Sequence, residues 1–269
     1  MSERGTSERA NVTAGVAIRA SSVYFLRFKN AGQSTLIIHM LNPLFVLGAM
    51  GLGLGSLIDD NQAAALGGVD YLSFIAPGLL AAFAMQSAAG DSLWPVLGGV
   101  KWEGTYVAQS ATPLKPGDVL LGQLSFTGAN IAFGAVMTFL AMVVYGAVES
   151  WWGILGVPAA LLTGLTYAAI LTAFAVTQQT DSAFPLIFRL GVIPSYLFSG
   201  TFFPISQLPD WLEGVAKVTP LWHGVDLCRS LSLGTATLLG SIGHAAYLLA
   251  FLLVALAIGR RTFERRLHQ

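Results

Sequence analysis

Apolar runs recur along the chain from residue 36 to residue 259, separated by short polar breaks. An apolar helix needs about 20 residues to cross the hydrocarbon of a bilayer. Six stretches meet that length: 36–58, 71–94, 119–146, 151–176, 183–204 and 238–259. The pattern predicts an all-α integral membrane fold with six transmembrane helices, forming one domain over 1–269. Ahead of the first run, Val12, Val16, Ala20, Val23 and Tyr24 recur at helical spacing beside basic residues. That suits an N-terminal amphipathic interfacial helix within 1–35, with the spans over 36–259 and a tail at 260–269. Between 205 and 235 the chain is too polar for a full span, yet Trp211, Leu212, Leu221, Trp222, Val225 and Leu227 can be buried. Pro209 and Pro220 punctuate this segment. Short re-entrant helices before the last span fit it, as does a folded external loop lying on the headgroups.

Composition agrees with the pattern. Of 269 residues, 54% are hydrophobic and only 10% charged, with a mean hydropathy of +0.67, whereas a soluble domain carries about 25% charged residues. The net charge is zero, so the electrostatic footprint of a nucleic-acid binder is missing. Cys228, the single cysteine, cannot form an internal disulfide. The first thirty residues hold no uninterrupted apolar core and do not read as a cleaved secretory signal. Basic loops stay in the cytoplasm. Eleven of the 14 basic residues fall on one side: five before the first run, Lys101 and Lys115 between the second and third, and Arg260, Arg261, Arg265 and Arg266 after the last. The other side receives Asp59, Asp60, Asp70 and Glu149, then a long fifth loop with Lys217 and Arg229. The expected topology is a multi-pass cell-membrane protein with both termini cytoplasmic.

The longest polar break, 101–118, is then cytoplasmic. Lys101, Thr105 and Gln109 fall at i, i+4 and i+8, and Trp102 and Tyr106 form an i, i+4 aromatic pair, which predicts one short interfacial helix with a wet edge. Gly104 weakens it by about 1 kcal/mol relative to Ala; Pro113 and Pro116 stop it, and Asp118 is placed to cap the next helix. An ordinary interfacial loop anchored by its Trp and Tyr shares this composition.

Enzyme chemistry finds little support. His39, His223, His244 and His268 are far apart in sequence and lack metal-ligand spacing, no Gly-x-Ser-x-Gly elbow occurs, and there is no Walker motif. If transport is active, ATP and Mg2+ must bind another polypeptide. An ion-coupled secondary transporter would carry buried acids at midspan, which none of the six runs shows, and a membrane-embedded enzyme would want acids or histidines clustered at one membrane face. Arg189 is a basic residue within a predicted span. It is placed to pair with Asp181 or Gln178, to snorkel, or to meet an anionic substrate. His244, in the last run, divides the same way between a functional group on the substrate path and a structural hydrogen bond, with the structural reading favoured.

Three blocks carry a family likeness. Lys101-Trp102-Glu103, Thr105-Tyr106 and Ala111-Thr112-Pro113-Leu114 resemble the cytoplasmic loop of ABC type-2 exporter permeases, in the branch of nodulation-factor and daunorubicin-resistance exporters. Tyr71 to Gly78 is similar to the family's entry into the second span. Ser199-Gly200, Phe202-Phe203-Pro204, Leu208-Pro209, Trp211-Leu212, Pro220-Leu221, His223 and Arg229 resemble its signature around the fifth span and the following loop. Gly104 and Gln109-Ser110 depart from the usual pattern. The resemblance implies a coupling helix, carrying Lys101, Trp102, Glu103, Thr105, Tyr106, Thr112, Pro113 and Leu114, that docks on an ABC ATPase subunit. It implies re-entrant helices at the external mouth and a second permease copy or paralogue. The cargo it implies is amphipathic or lipid-linked: a drug, a glycolipid or a polysaccharide-lipid. Phe202, Phe203, Trp211 and Arg189 are the expected residues of the substrate path or outer gate.

Overall fold

A computed structural model of the chain describes residues 41–54, 68–110 and 115–267, and among these every regular element is helical. The expected N-terminal amphipathic helix and most flanks of the first run lie outside the described residues. Within that run, α1 (Leu41–Gly51) passes into a π-helical turn at Ala49–Leu54.

Helix α2 (Tyr71–Ser92) starts where the Asp70 carboxylate accepts from the Leu72 N–H at 3.1 Å. It bends at Leu93 and continues as α3 (Trp94–Lys101). The second run therefore ends at Lys101 and not at Trp94, giving a 31-residue apolar segment. Pro95 sits in the first turn of α3, where a missing N–H costs nothing, and Val96 and Leu97 are buried. After the short α4 (Thr105–Ser110), helix α5 (Pro116–Val144) also opens on a proline. Asp118 accepts from the Lys115 N–H at 3.0 Å, so it caps from inside the first turn and not from the flanking position.

The fourth run forms a 3-10 turn at Trp151–Leu155 and then α6 (Gly156–Ala175). The fifth departs from expectation. In place of one helix over 183–204 there are α7 (Phe184–Ile187), a π-helical turn at Phe188–Val192 and α8 (Ile193–Phe198). The whole spans about 22 Å at 1.5 Å per residue, short of the roughly 30 Å hydrocarbon. Pro185 opens α7, Pro194 lacks the N–H that would continue the ladder from the π-helical turn into α8, and the chain leaves the helix at Ser199-Gly200. Helices α9 (Asp210–Val218) and α10 (Pro220–Leu233) follow, before α11 (Leu238–Leu267), which runs eight residues past the predicted end of the last span. Among the described residues, four segments are long and apolar enough to cross a membrane: Tyr71–Lys101, Pro116–Val144, Trp151–Ala175 and Leu238–Arg266.

Helix α2 is the centre of the bundle, flanked by α5, α6 and α10, while α11 lies against α6 and α10. The packing is inverted relative to a water-soluble protein. Leu121, Leu140, Val143, Leu249, Leu253 and Val254 face outward, whereas Gln123, Thr127, Thr138, Thr163 and Thr166 are buried. Apolar side chains cost nothing against lipid tails, and several of the buried hydroxyls bond within their own helix. Thr163 donates to the Ala159 carbonyl at 2.9 Å, and Thr138 to that of Gly134 at 2.8 Å.

Small residues set how closely the helices approach. A Cβ at Gly164 of α6 would lie 2.8 Å from Ile131 of α5 and 3.0 Å from the Ala84 carbonyl oxygen of α2. A Cβ at Gly224 would collide with the Thr163 side chain, seating α10 against α6. The Ala84 carbonyl belongs to a helix backbone and cannot step aside. Gly164→Val is expected to destabilise the chain by about 3 kcal/mol, the upper end of overpacking costs. A thermal melt of the detergent-solubilised protein would show this as a lowered midpoint; an unchanged midpoint would mean that α2, α5 and α6 do not meet at this residue.

Candidate functional site

The polar break after the second run is a helix-turn-helix, not the single helix its periodicity suggests. Helix α3 ends at Lys101, and the Trp102 and Glu103 N–H groups both donate to the Gly98 carbonyl at 2.9 Å. Gly104 then takes φ = +62°, with no atom near where a Cβ would stand. The glycine is required by backbone conformation alone, and it turns the chain into α4. Trp102 and Tyr106 thus lie on different helices. Trp102 is 65% exposed and Tyr106 only 2%.

Lys101, Trp102 and Glu103 form an exposed tip. Behind it, Thr105 is half-buried and its hydroxyl donates back to the Gly99 carbonyl at 3.3 Å. The Tyr106 hydroxyl donates to Gln123 Oε1 at 2.9 Å, and Gln123 Nε2 donates to the Asp91 carbonyl at 3.2 Å and to Thr127 at 3.3 Å. The Tyr106 ring packs on the fully buried Phe263, centroids 6.0 Å apart. Of the expected coupling residues, three project, Thr105 and Tyr106 anchor the turn to α3, α5 and α11, and Thr112, Pro113 and Leu114 lie outside the described residues. Phe263 was not anticipated, because it falls beyond the predicted end of the last span.

At the opposite end of the bundle the organising residue is Arg229, which charge counting places in an external loop. Its guanidinium lies 3.8 Å over the Phe74 ring. Nε donates to the Phe74 carbonyl at 3.0 Å, and Nη2 to the carbonyls of Gly200 at 2.7 Å and Thr201 at 3.4 Å. Burial lowers its pKa to about 10, with Asp226 acting in the other sense, so it stays cationic at neutral pH. One side chain thereby ties α10 to α2 and to the turn that ends α8.

The expected gate residues do not converge on one point. Phe202 meets Tyr196 edge-on, centroids 5.0 Å apart, and Phe203 is half-buried beside it in the chain. Trp211, on α9, is 72% exposed. Arg189 is exposed on the π-helical turn and joins neither Asp181 nor Gln178 among the described residues. Asp181 instead accepts from Trp94 Nε1 at 3.3 Å, and Gln178 donates to Thr177.

Two arrangements lay beyond sequence reasoning. Asp91 stands in the last turn of α2, inside the apolar segment once that segment is seen to reach Lys101; Asn130 Nδ2 donates to its carboxylate at 3.0 Å. It lines a groove of about 250 Å3 with Asn42, Gln86, Ser87 and Thr138. His223 and His244, 21 residues apart, have their Nδ1 atoms 2.9 Å from each other. The spacing rule for histidines saw no pair because α10 and α11 bring them together only in three dimensions.

Replacing Arg229 tests its role in the outer end. Arg229→Ala removes a charged donor from three carbonyls and is expected to cost about 2–3 kcal/mol, read as a lower unfolding midpoint in detergent. Arg229→Lys should recover less than half of it, because one ammonium cannot reach Phe74 and Gly200 from a flat fork. Equal stability of all three proteins would remove Arg229 from the fold's support.

A family model described as ABC-2 type transporter matches residues 19–233. Among curated proteins, Nodulation protein J of Rhizobium leguminosarum bv. trifolii is 27% identical over 244 residues, covering 90% of each chain. Nodulation protein J of Rhizobium meliloti (strain 1021) is 27% identical over 247 residues, again covering 90% of each. Its namesake in Neorhizobium galegae is 28% identical over 213 residues, 78% of each chain.

Proposed function

This chain belongs to the ABC-2 type transporter family, and from that footing we propose that it is the permease subunit of an ATP-driven exporter in the cell membrane. The observation that carries the reading is the tip at Lys101, Trp102 and Glu103, exposed on a base locked by Tyr106 to α5 and α11. A partner pressing on such a tip moves long helices and not a loose loop. The partner is an ABC ATPase subunit, which binds ATP and Mg2+; this chain supplies no catalytic residue of its own.

The chain forms a single transmembrane domain of six spans, with α1 and the interrupted α7–α8 segment completing the four long helices. Both termini lie in the cytoplasm. The tip shares one end of the bundle with the basic end of α11, since Tyr106 touches Phe263 and Gly117 lies near Arg260. Lys101, Lys115, Arg260, Arg261, Arg265 and Arg266 therefore cluster where the positive-inside rule wants them. Helices α9 and α10 form the outer mouth. Two permease copies, or this chain and a paralogue, enclose the path for an amphipathic or lipid-linked cargo such as a drug, a glycolipid or a polysaccharide-lipid. Arg189, Phe202, Phe203 and Trp211 border that path.

Asp91 inside α2 lends some support to a second reading, an ion-coupled secondary transporter. Proton-gradient-driven transport by the isolated chain, without any ATPase subunit, would favour it.

Trp102→Ala should weaken association with the ATPase subunit by about 2 kcal/mol, roughly 30-fold, as removal of an interfacial Trp anchor does. Glu103→Ala should lower substrate-stimulated ATP hydrolysis in the same direction. Co-purification with a tagged permease and ATPase assays in vesicles measure both, with membrane insertion checked separately. Full association and full coupling in both variants would defeat the assignment.

A further inference from the structure

The groove between α1, α2 and α5 is polar at a depth where lipid tails offer nothing to bond. Phe83, Gln86, Ser87, Gly90 and Asp91 recur at i, i+3, i+4, i+7 and i+8, which is one face of α2, and they line the groove together. Ile131, Gly134, Ala135 and Thr138 form the matching face of α5, and Asn42 and Pro43 of α1 complete the walls of a space of about 250 Å3. Asn42, Gln86 and Gly90 are exposed, and a Cβ at Gly90 would meet no atom within 4 Å. The groove is therefore open to the side of the bundle. Counted along the helix at 1.5 Å per residue, Asp91 lies about 15 Å from Lys101, and Phe83 about 18 Å from Tyr71. That places the groove in the middle of the 31-residue apolar segment.

Polar side chains that face hydrocarbon are costly unless a group with hydrogen-bonding capacity meets them. The lining decides which group fits. An anion is held by donors and a cation by acceptors, whereas the amides of Asn42 and Gln86 and the hydroxyl of Ser87 supply both. Asp91 is the acid in the lining, and its Oδ2 already receives Asn130 Nδ2 at 3.0 Å. Beside it, Asn130 is 6% exposed and its Oδ1 has no hydrogen-bond partner, an acceptor still unmet. Thr138 gives its proton to the Gly134 carbonyl and keeps its oxygen as an acceptor. Hydroxyl groups also donate and accept at once, so several of them match this mixed set and a single charge does not.

The remaining wall is apolar, formed by Phe83, Ile131, Ala135 and Pro43. A sugar ring divides in the same way, with hydroxyls around its edge and C–H groups on its faces. The volume is below the roughly 300 Å3 at which pockets begin to hold drug-sized ligands. It suits one ring whose remaining atoms lie outside.

We propose that this groove binds an uncharged sugar ring of an amphipathic molecule. Asn42, Gln86, Ser87 and Asp91 bond its hydroxyls, Phe83 and Ile131 pack on its face, and the alkyl chain stays in the surrounding lipid. That the ring belongs to a transported cargo rests on the exporter reading; the site itself does not. Among drugs, glycolipids and polysaccharide-lipids, the groove selects molecules that present a neutral sugar to the bilayer. It uses none of Arg189, Phe202, Phe203 and Trp211, and so adds a contact to those assigned to the path.

The test uses the full-length chain in lipid nanodiscs, without an ATPase subunit. A photoactivatable alkyl glucoside, its diazirine beside the sugar, is crosslinked to the chain, and labelled peptides are identified by mass spectrometry. Label should fall on segments 83–91 and 131–138. Excess dodecyl glucoside should compete about tenfold better than dodecylamine or dodecyl phosphate. Gln86→Ala removes one exposed amide and should weaken that competition about fivefold, as loss of a neutral hydrogen bond does. Gly90→Leu puts a side chain into the open groove at a helix position that favours leucine over glycine, and should abolish the specific label. Unchanged labelling of Gly90→Leu would overturn the proposal. Equal competition by all three amphiphiles would also overturn it, leaving a bed for alkyl chains, and preferential competition by dodecylamine would overturn it in favour of a cation site at Asp91. Loss of crosslinking between permease copies in Gly90→Leu would give the groove to a second copy and overturn it too. Should Gly90→Leu fail to fold, Gln86→Ala and the competition series decide. Because labelling needs no ATPase subunit, its failure leaves the Lys101 tip's association with that subunit intact, and failure of that association leaves the labelling intact.

Discussion

Backbone carbonyls released by breaks in membrane-buried helices must find donors, because hydrocarbon offers none. This requirement shapes both ends of the bundle. Where α2 bends into α3, the Asp91 carbonyl receives the Gln123 amide, which also accepts the Tyr106 hydroxyl. Where the chain leaves α8, the carbonyls of Gly200 and Thr201 receive Arg229, which reaches the Phe74 carbonyl of α2 as well. In each case a break in one helix is stabilised by a side chain from another. The breaks thereby become the points at which helices are tied together.

That arrangement ties the helices together at both ends of the bundle. At the Lys101 end of the bundle, Gly104 turns the chain sharply and Tyr106 is sealed between Gln123 and Phe263, so the exposed tip has little freedom of its own. At the opposite end, Arg229 and the histidine pair both act on α10, one toward α2 and the other toward α11. Small residues along α6 let the elements between these ends pack closely. Glycine and threonine are used for opposite purposes here. The former removes bulk at contacts, and the latter, at Thr138, Thr163 and Thr166, returns its hydroxyl to a carbonyl of its own helix.

Much of the fold was legible in residue order. The long helices follow from sustained apolar runs, and their starts from local capping chemistry: Asp70, Pro116 with Asp118, and Thr219 with Pro220. The misreadings have local physical causes. The face formed by Lys101, Thr105 and Gln109 presumed an unbroken helix, whereas Gly104 adopts a left-handed conformation that no count of intervals reveals. The fifth run was read at full length because its composition is apolar throughout, although Pro185, Pro194 and a π-helical turn shorten it. The last helix was stopped where hydropathy falls, yet a helix does not end at the membrane surface when Phe263 still has a buried partner.

Sequence by itself determined that the chain lives in a membrane, where its long helices lie, which loops carry positive charge and which exposed residues stand at the polar break. These properties depend on neighbours in the chain and on transfer from water to hydrocarbon. Only the tertiary structure decided that Arg229 is a central tie, that Tyr106 is an anchor and not part of a surface, and that Asp91 stands inside a helix beside Asn130. The same holds for His223 and His244, which meet across 21 residues. Each depends on which helix packs against which, and the polar break at 101–118 changed accordingly, from one amphipathic helix into a fixed, exposed tip.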